Sequence, residues 1–227
     1  MRMRTLNPES VPSISSSLLP KICLVKEALK PVAEVIYYPC CATDVTLSTA
    51  FPDSRVIYLD RDEDCVTLLQ HHGFESVVGD ARTFVPDQAP DIVMIMNPTI
   101  AMTHAASLVK IGGYVLCNNY HGTASQLRTE SMFQHVGSVR GRNDTMVFDT
   151  EELENYWKQV ETEEEFRSNA LFEFLQMFLA KYGDESSGAL EGYKQLLERS
   201  KTMKPSVFIP SLPSKKYTTF YVFRRIS

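Results

Sequence analysis

Between residues 32 and 120 the chain alternates short apolar runs with amphipathic segments, and this rhythm constrains the fold most. The runs are Val35–Tyr38, Arg55–Asp60, Ser76–Val78, Asp91–Met96 and Tyr114–Asn118. Most lack the in–out alternation of a half-exposed strand, which predicts strands buried on both faces. Asp44–Ala50, Asp62–His72 and Thr103–Lys110 lie between them with helical patterning. Strand–helix alternation at this spacing implies right-handed crossovers and a doubly wound, mostly parallel α/β sheet. Ligands of such sheets sit beyond the carboxyl ends of the strands, near the switch in strand order. That rule gathers Pro39–Asp44, Asp60, Asp80, Asn97 and Asn118–His121 around one crevice.

The flanks read differently. Residues 1–31 are a polar tail, expected to fray up to residue 13, and a helix over Ser15–Lys30 closed by Pro31. The core unit is read as 32–149, with late strands at Met132–Val139 and Thr145–Phe148. Asp149–Glu152 reads as a helix start, with acids in its first turn. Residues 150–204 are read as a helical insertion, and 205–227 as a closing segment whose strand, Tyr217–Arg225, is placed at a sheet edge. Within the insertion, Phe166, Ala170, Phe174, Met177 and Phe178 form a wide apolar stripe, suited to a lid, a buried helix or a homodimer contact.

Composition narrows the function. The 227 residues carry a net charge of −5, which argues against general nucleic-acid binding. No run is long enough to span a bilayer, so no membrane partner is expected. The five cysteines, Cys23, Cys40, Cys41, Cys65 and Cys117, show no CxxC and no zinc spacing. With an opening M-R-M-R-T-L-N-P that lacks the apolar core of a signal peptide, they suggest a reduced, cytoplasmic protein without a metal site.

The crevice residues resemble those of class I S-adenosylmethionine-dependent methyltransferases over about residues 32–125 and the last strand. The resemblance rests on V-I-Y-L-D ending at Asp60, G-D-A at 79–81, N-P-T-I at 97–100 and the apolar segment G-G-Y-V-L-C-N. It implies a Rossmann-like methyltransferase fold with an antiparallel last strand. It also implies S-adenosylmethionine as cofactor and a small or medium substrate methylated on nitrogen or oxygen.

A carboxylate at a strand end accepts two hydrogen bonds from a ribose diol, which suits Asp60. Asp62 is the more natural cap of the following helix, which leaves Asp60 free. Asp80 and Ala81 are placed to meet an adenine edge, or simply to form a turn. Asn97 is able to orient a substrate amine and His121 to take its proton, while Pro98, Thr99, Asn118 and Tyr120 border the substrate. Each also reads as an ordinary loop residue.

The sequence departs from the family at the loop after the first strand. Tyr37 and Tyr38 stand where the family carries an acid. Pro39, Cys40, Cys41 and Ala42 stand where it carries glycines, which permit positive φ and close backbone approach to the methionine part of the cofactor. Asp44 offers a replacement carboxylate, or a helix cap. Cys40-Cys41 reads either as small apolar loop residues or as a site for a low-pKa thiolate. Two further functions remain open: a methyltransferase fold without catalysis, serving as a binding or regulatory module, and an aminopropyl transferase.

Overall fold

A computed structural model describes residues 10–96, 102–119, 123–141, 146–159, 208–210 and 220–227. Eight strands form one sheet: β1 (Val35–Pro39), β2 (Arg55–Asp60), β3 (Ser76–Val78), β4 (Ile92–Ile95), β5 (Tyr114–Cys117), β6 (Phe133–Arg140), β7 (Val147–Asp149) and β10 (Phe220–Arg225). Their order is β3-β2-β1-β4-β5-β10-β6-β7. Pairings among β1 to β5 are parallel, and β10 runs antiparallel to both β5 and β6. This is the doubly wound Rossmann-like arrangement expected. The strand order turns back between β1 and β4, so the switch-point crevice opens beyond Pro39 and Ile95.

The two faces of the sheet follow from period-two alternation. Val35, Tyr37, Ile57, Leu59, Val93 and Ile95 point to one core, beneath α4 (Thr103–Ser107) and α5 (Thr123–Thr129). Ile36, Tyr38, Val56, Tyr58, Ile92 and Met94 point to the other, beneath α1 (Leu19–Leu29) and α2 (Thr46–Ala50). Burying one such aliphatic side chain is worth about 1.5–3 kcal/mol, so a register slip on β1 would be costly on both sides at once. Asp91 fixes the register at the amino ends. One of its carboxylate oxygens accepts from the amides of Glu34 and Val35, each at 2.9 Å, and the other meets Lys110 Nζ at 3.0 Å.

Several expectations are corrected. β10 is not an edge strand: it lies between β5 and β6, and Phe220–Phe223 are buried because both sides are covered. The helix start expected at Asp149–Glu152 is not found, and the rest of the expected helical insertion, from 160 to 204, lies outside the described residues. A 3-10 turn spans Leu153–Tyr156, and β8 (Trp157–Gln159) then pairs antiparallel with β9 (Phe208–Pro210) in a separate two-stranded sheet. Asp149 is drawn away from a capping role by Arg140 Nε at 2.5 Å and by the Tyr156 hydroxyl. The Phe166–Tyr182 stripe lies outside the described residues. Among those described, no helix is long and apolar enough to cross a membrane.

His135 on β6 shows how the late strands are locked. Trp157 stacks on Tyr221 with ring centroids 4.7 Å apart, and its indole N–H donates to His135 Nδ1 at 3.1 Å. The indole can only donate, so the imidazole proton sits on Nε2, which faces Gly137 O at 3.0 Å and Ser138 Oγ at 2.9 Å. Burial pushes the His135 pKa down from 6.5 to about 4. The unfolded chain therefore takes up a proton near pH 6.5 that the folded chain refuses until about pH 4. The stabilisation is complete above pH 6.5 and declines as pH falls through 4, by roughly 3 kcal/mol in all. Urea unfolding at pH 7.5 and pH 4.5 is expected to show this loss in wild type beyond any loss in His135→Phe; equal losses in the two proteins would contradict it.

Candidate functional site

The loop after β1 keeps a glycine-like backbone without glycine. Cys40 and Ala42 have φ of 56° and 49°, in the left-handed region. For residues bearing a Cβ this costs about 1–2 kcal/mol each. Two hydrogen bonds hold the conformation: Cys40 N–H donates to Leu59 O at 2.7 Å, and Ala42 N–H donates to Asp60 Oδ2 at 2.8 Å. Asp60 Oδ1 accepts from Asp62 N–H at 3.0 Å. The expectation that Asp60 is left free is thus corrected. Asp62 does cap α3 (Glu63–His71), but Asp60 ties the β1 loop to the start of that helix. A carboxylate has about four acceptor sites, so these two amides leave acceptor capacity on Asp60, which is only partly buried.

Asp44 serves the structure. It accepts from the Tyr38 hydroxyl at 3.1 Å and from Thr46 N–H at 2.9 Å, and it also meets the Thr46 hydroxyl. Ser13 and Ser15, in the described part of the segment ahead of α1, run beside it. Ser13 N–H donates to Thr43 O, Val45 N–H to Ser13 O and Ser15 N–H to Thr46 Oγ1, each at 2.8 Å. Burial pushes the Cys40 thiol up to about 11 and raises the Cys41 thiol still further, with Asp60 adding to both. Neither is a low-pKa thiolate; they are neutral loop side chains.

Beyond β3, Asp80 lies between two guanidinium groups that the sequence reading missed. Arg82 Nε reaches both of its carboxylate oxygens at 3.0 Å, and Arg61 also pairs with it. These bonds, chiefly those from Arg82, hold the Asp80 pKa well below the usual carboxylate range. Arg82 N–H also donates to Asp80 Oδ1 at 3.0 Å, closing the turn that carries buried Ala81. The available signal was the arginine in each of L-D-R and G-D-A-R.

On the other side of the switch point, Asn118 is buried and its N–H donates to Ile95 O at 3.3 Å. Asn119 positions α5, an element not anticipated from sequence, by accepting from Ser125 N–H at 2.7 Å. Asn97, Pro98, Thr99, Tyr120 and His121 lie outside the described residues. Pro39, Cys40, Cys41, Ala42, Asp60, Asp80 and Ala81 do come together, at the carboxyl ends of the adjacent strands β1, β2 and β3.

Two fully buried hydroxyls, Tyr37 Oη and Thr123 Oγ1, have no hydrogen-bond partner among the described residues. Leaving such a group unsatisfied costs about 1–3 kcal/mol. A strained loop, a carboxylate with spare acceptor capacity and an unpaired hydroxyl suit a small polar molecule bearing hydroxyl groups. Among the described residues no group of three metal-ligating side chains converges.

No family model and no curated protein matches the chain. Among solved structures it is similar to the N-methyltransferase NodS from Bradyrhizobium japonicum WM9, at 13% identity and a TM-score of 0.43, covering 56% of this chain and 86% of that one. It is similar to the [4+2]-cyclase SpnF at 12% identity and a TM-score of 0.45, covering 91% and 80%. It is also similar to CalS10, an amino pentose methyltransferase from Micromonospora echinaspora, at 19% identity and a TM-score of 0.39, covering 58% and 60%. Likeness at this level decides neither activity nor substrate.

The strain in the loop is directly measurable. Ala42 is exposed, so a glycine there removes little packing while freeing the left-handed backbone. Ala42→Gly is expected to raise stability by about 0.5–1 kcal/mol, after the larger chain entropy of glycine is subtracted. A urea midpoint that falls instead would mean that the left-handed conformation is not maintained in solution.

Proposed function

We propose that this chain binds S-adenosylmethionine in the crevice beyond β1, β2 and β3 and transfers its methyl group to a nitrogen or oxygen of a small or medium substrate. One observation carries the reading. The β1 loop holds left-handed Cys40 and Ala42 at an energetic cost, tied to Leu59 and Asp60, although glycine is absent. Strain of this kind persists where surrounding bonds over-determine it and clusters at ligand sites. The residues fit the cofactor. Loop 39–42 would lie against its methionine part, the remaining acceptor capacity of Asp60 would take the ribose hydroxyls, and Asp80 and Ala81 would border the base.

A bound S-adenosylmethionine supplies an electrophilic methyl on a sulfonium. The chain's contribution is to orient the acceptor in line and to exclude water, so no strong base is required. Asn97 and His121 are the residues proposed to face the acceptor, with Pro98, Thr99, Asn118 and Tyr120 around it.

A second reading is a methyltransferase fold kept as a binding or regulatory module. It is favoured by the internal pairing of Asp44, Asp60 and Asp80, each of which already serves the fold. Calorimetric titration with S-adenosylmethionine and S-adenosylhomocysteine separates the two. Micromolar binding, about −8 kcal/mol, that Asp60→Ala abolishes is expected. Because Asp60 also holds the Ala42 amide, a thermal melt of the variant must show that it remains folded. Absence of binding to both compounds by the wild-type chain would overturn the methyltransferase reading and leave the second.

A further inference from the structure

Three tyrosines stand on β1 and β2, and their hydroxyls have different fates. Tyr38 donates to Asp44 at 3.1 Å, and Tyr58 shares a 2.7 Å hydrogen bond with Ser48. Tyr37 is as buried as Tyr58, yet its hydroxyl has no partner among the described residues. It sits two residues before the end of β1, next to the switch point, on the face shared with Cys40 and Phe84. Its ring centroid lies 5.7 Å from that of Phe84. A buried hydroxyl left unpaired calls for an explanation, and its place two residues from the strand end at the switch point suggests one.

The surrounding chemistry sets the polarity of that explanation. Both loop thiols are neutral, and burial likewise keeps the Tyr37 phenol protonated. The carboxylates around the loop have partners: Asp44 has Tyr38 and Thr46, Asp80 has Arg61 and Arg82, and Asp60 has the amides of Ala42 and Asp62, with its remaining acceptor capacity assigned above to the ribose. The hydroxyl beneath the loop is therefore a neutral donor. It matches an oxygen acceptor, above all a carboxylate, and does not offer the anion that an ammonium group would need.

We infer that the Tyr37 hydroxyl is a ligand contact that donates a hydrogen bond to a carboxylate of the bound small molecule. Resting on the proposed function, that carboxylate belongs to the amino-acid end of the cofactor. Recognition at this loop is then read through a neutral donor and the carboxylate rather than through an acidic side chain and the ammonium.

The test compares wild type with Tyr37→Phe, which removes the hydroxyl and keeps the ring. Calorimetry with S-adenosylhomocysteine is set against 5′-methylthioadenosine, which lacks the amino-acid end. The expected result is at least a tenfold loss of affinity for S-adenosylhomocysteine, with 5′-methylthioadenosine binding unchanged. The melting temperature of the unliganded variant is expected to hold or rise, because an unsatisfied buried group has been removed. A lower melting temperature would show that the hydroxyl has a structural partner, and would overturn the inference. Unchanged S-adenosylhomocysteine binding would overturn it too, while leaving the proposed function intact. Equal losses for both compounds would overturn the carboxylate assignment. A wild-type chain that binds neither compound would overturn the proposed function, and this inference with it.

Discussion

β1 has no solvent face, and the rest of the structure is arranged around that constraint. All five of its residues are buried, between β2 on one side and β4 on the other. Its side chains alternate between two cores, so the helices must cover both faces. With β2 and β3 to one side and β4 and β5 to the other, the connections diverge at its carboxyl end, and a crevice follows from the topology. The loop that leaves this strand therefore borders the switch point.

That loop holds a glycine-like backbone shape without glycine. Glycine reaches positive φ without steric cost. Cys40 and Ala42 reach it under constraint, held from β2 by the Leu59 carbonyl and the Asp60 carboxylate. Asp60 consequently has two duties: it stabilises the loop from within, and it retains acceptor capacity at the crevice. Asp44 has no such division, since Tyr38 and Thr46 engage it. Tyr37, on the same loop-bearing strand, is buried with no hydrogen-bond partner for its hydroxyl among the described residues.

The late strands solve a separate problem. β10 enters between β5 and β6, far from them in sequence, and is locked there by ring contacts among Tyr221, Phe223, His135 and Trp157. The lock depends on a neutral imidazole, because Nδ1 must be unprotonated to accept from Trp157. It also brings Trp157, at the start of the paired segments β8 and β9, onto the same face as the helices α4 and α5.

The amino-acid pattern by itself determined the parallel half of the sheet. V-I-Y-Y, V-I-Y-L-D and D-I-V-M-I-M declare two-sided burial, and Gly73 with φ of 81° ends the helix after β2 where expected. The positions of Asp60 and of G-D-A at strand ends were legible for the same reason: local periodicity fixes where a strand stops. Local signals failed where partners come from far along the chain. The apolar run of β10 reads the same for an edge as for an interior strand, and only pairing on both sides decides between them. The acids at 149–152 suggest a helix, yet Arg140 and Tyr156 recruit Asp149, and Trp157 is held by Tyr221 and His135. The bonds of Asp60 to Ala42 and of Asp80 to Arg61, and the lack of a partner for Tyr37 among the described residues, belong to this second kind, whereas Asp62 and Arg82 are near neighbours in sequence. Hydrogen bonds across the crevice join residues 18 or more positions apart, as Ala42 and Asp60 or Arg61 and Asp80 are, and no periodicity in the sequence encodes them.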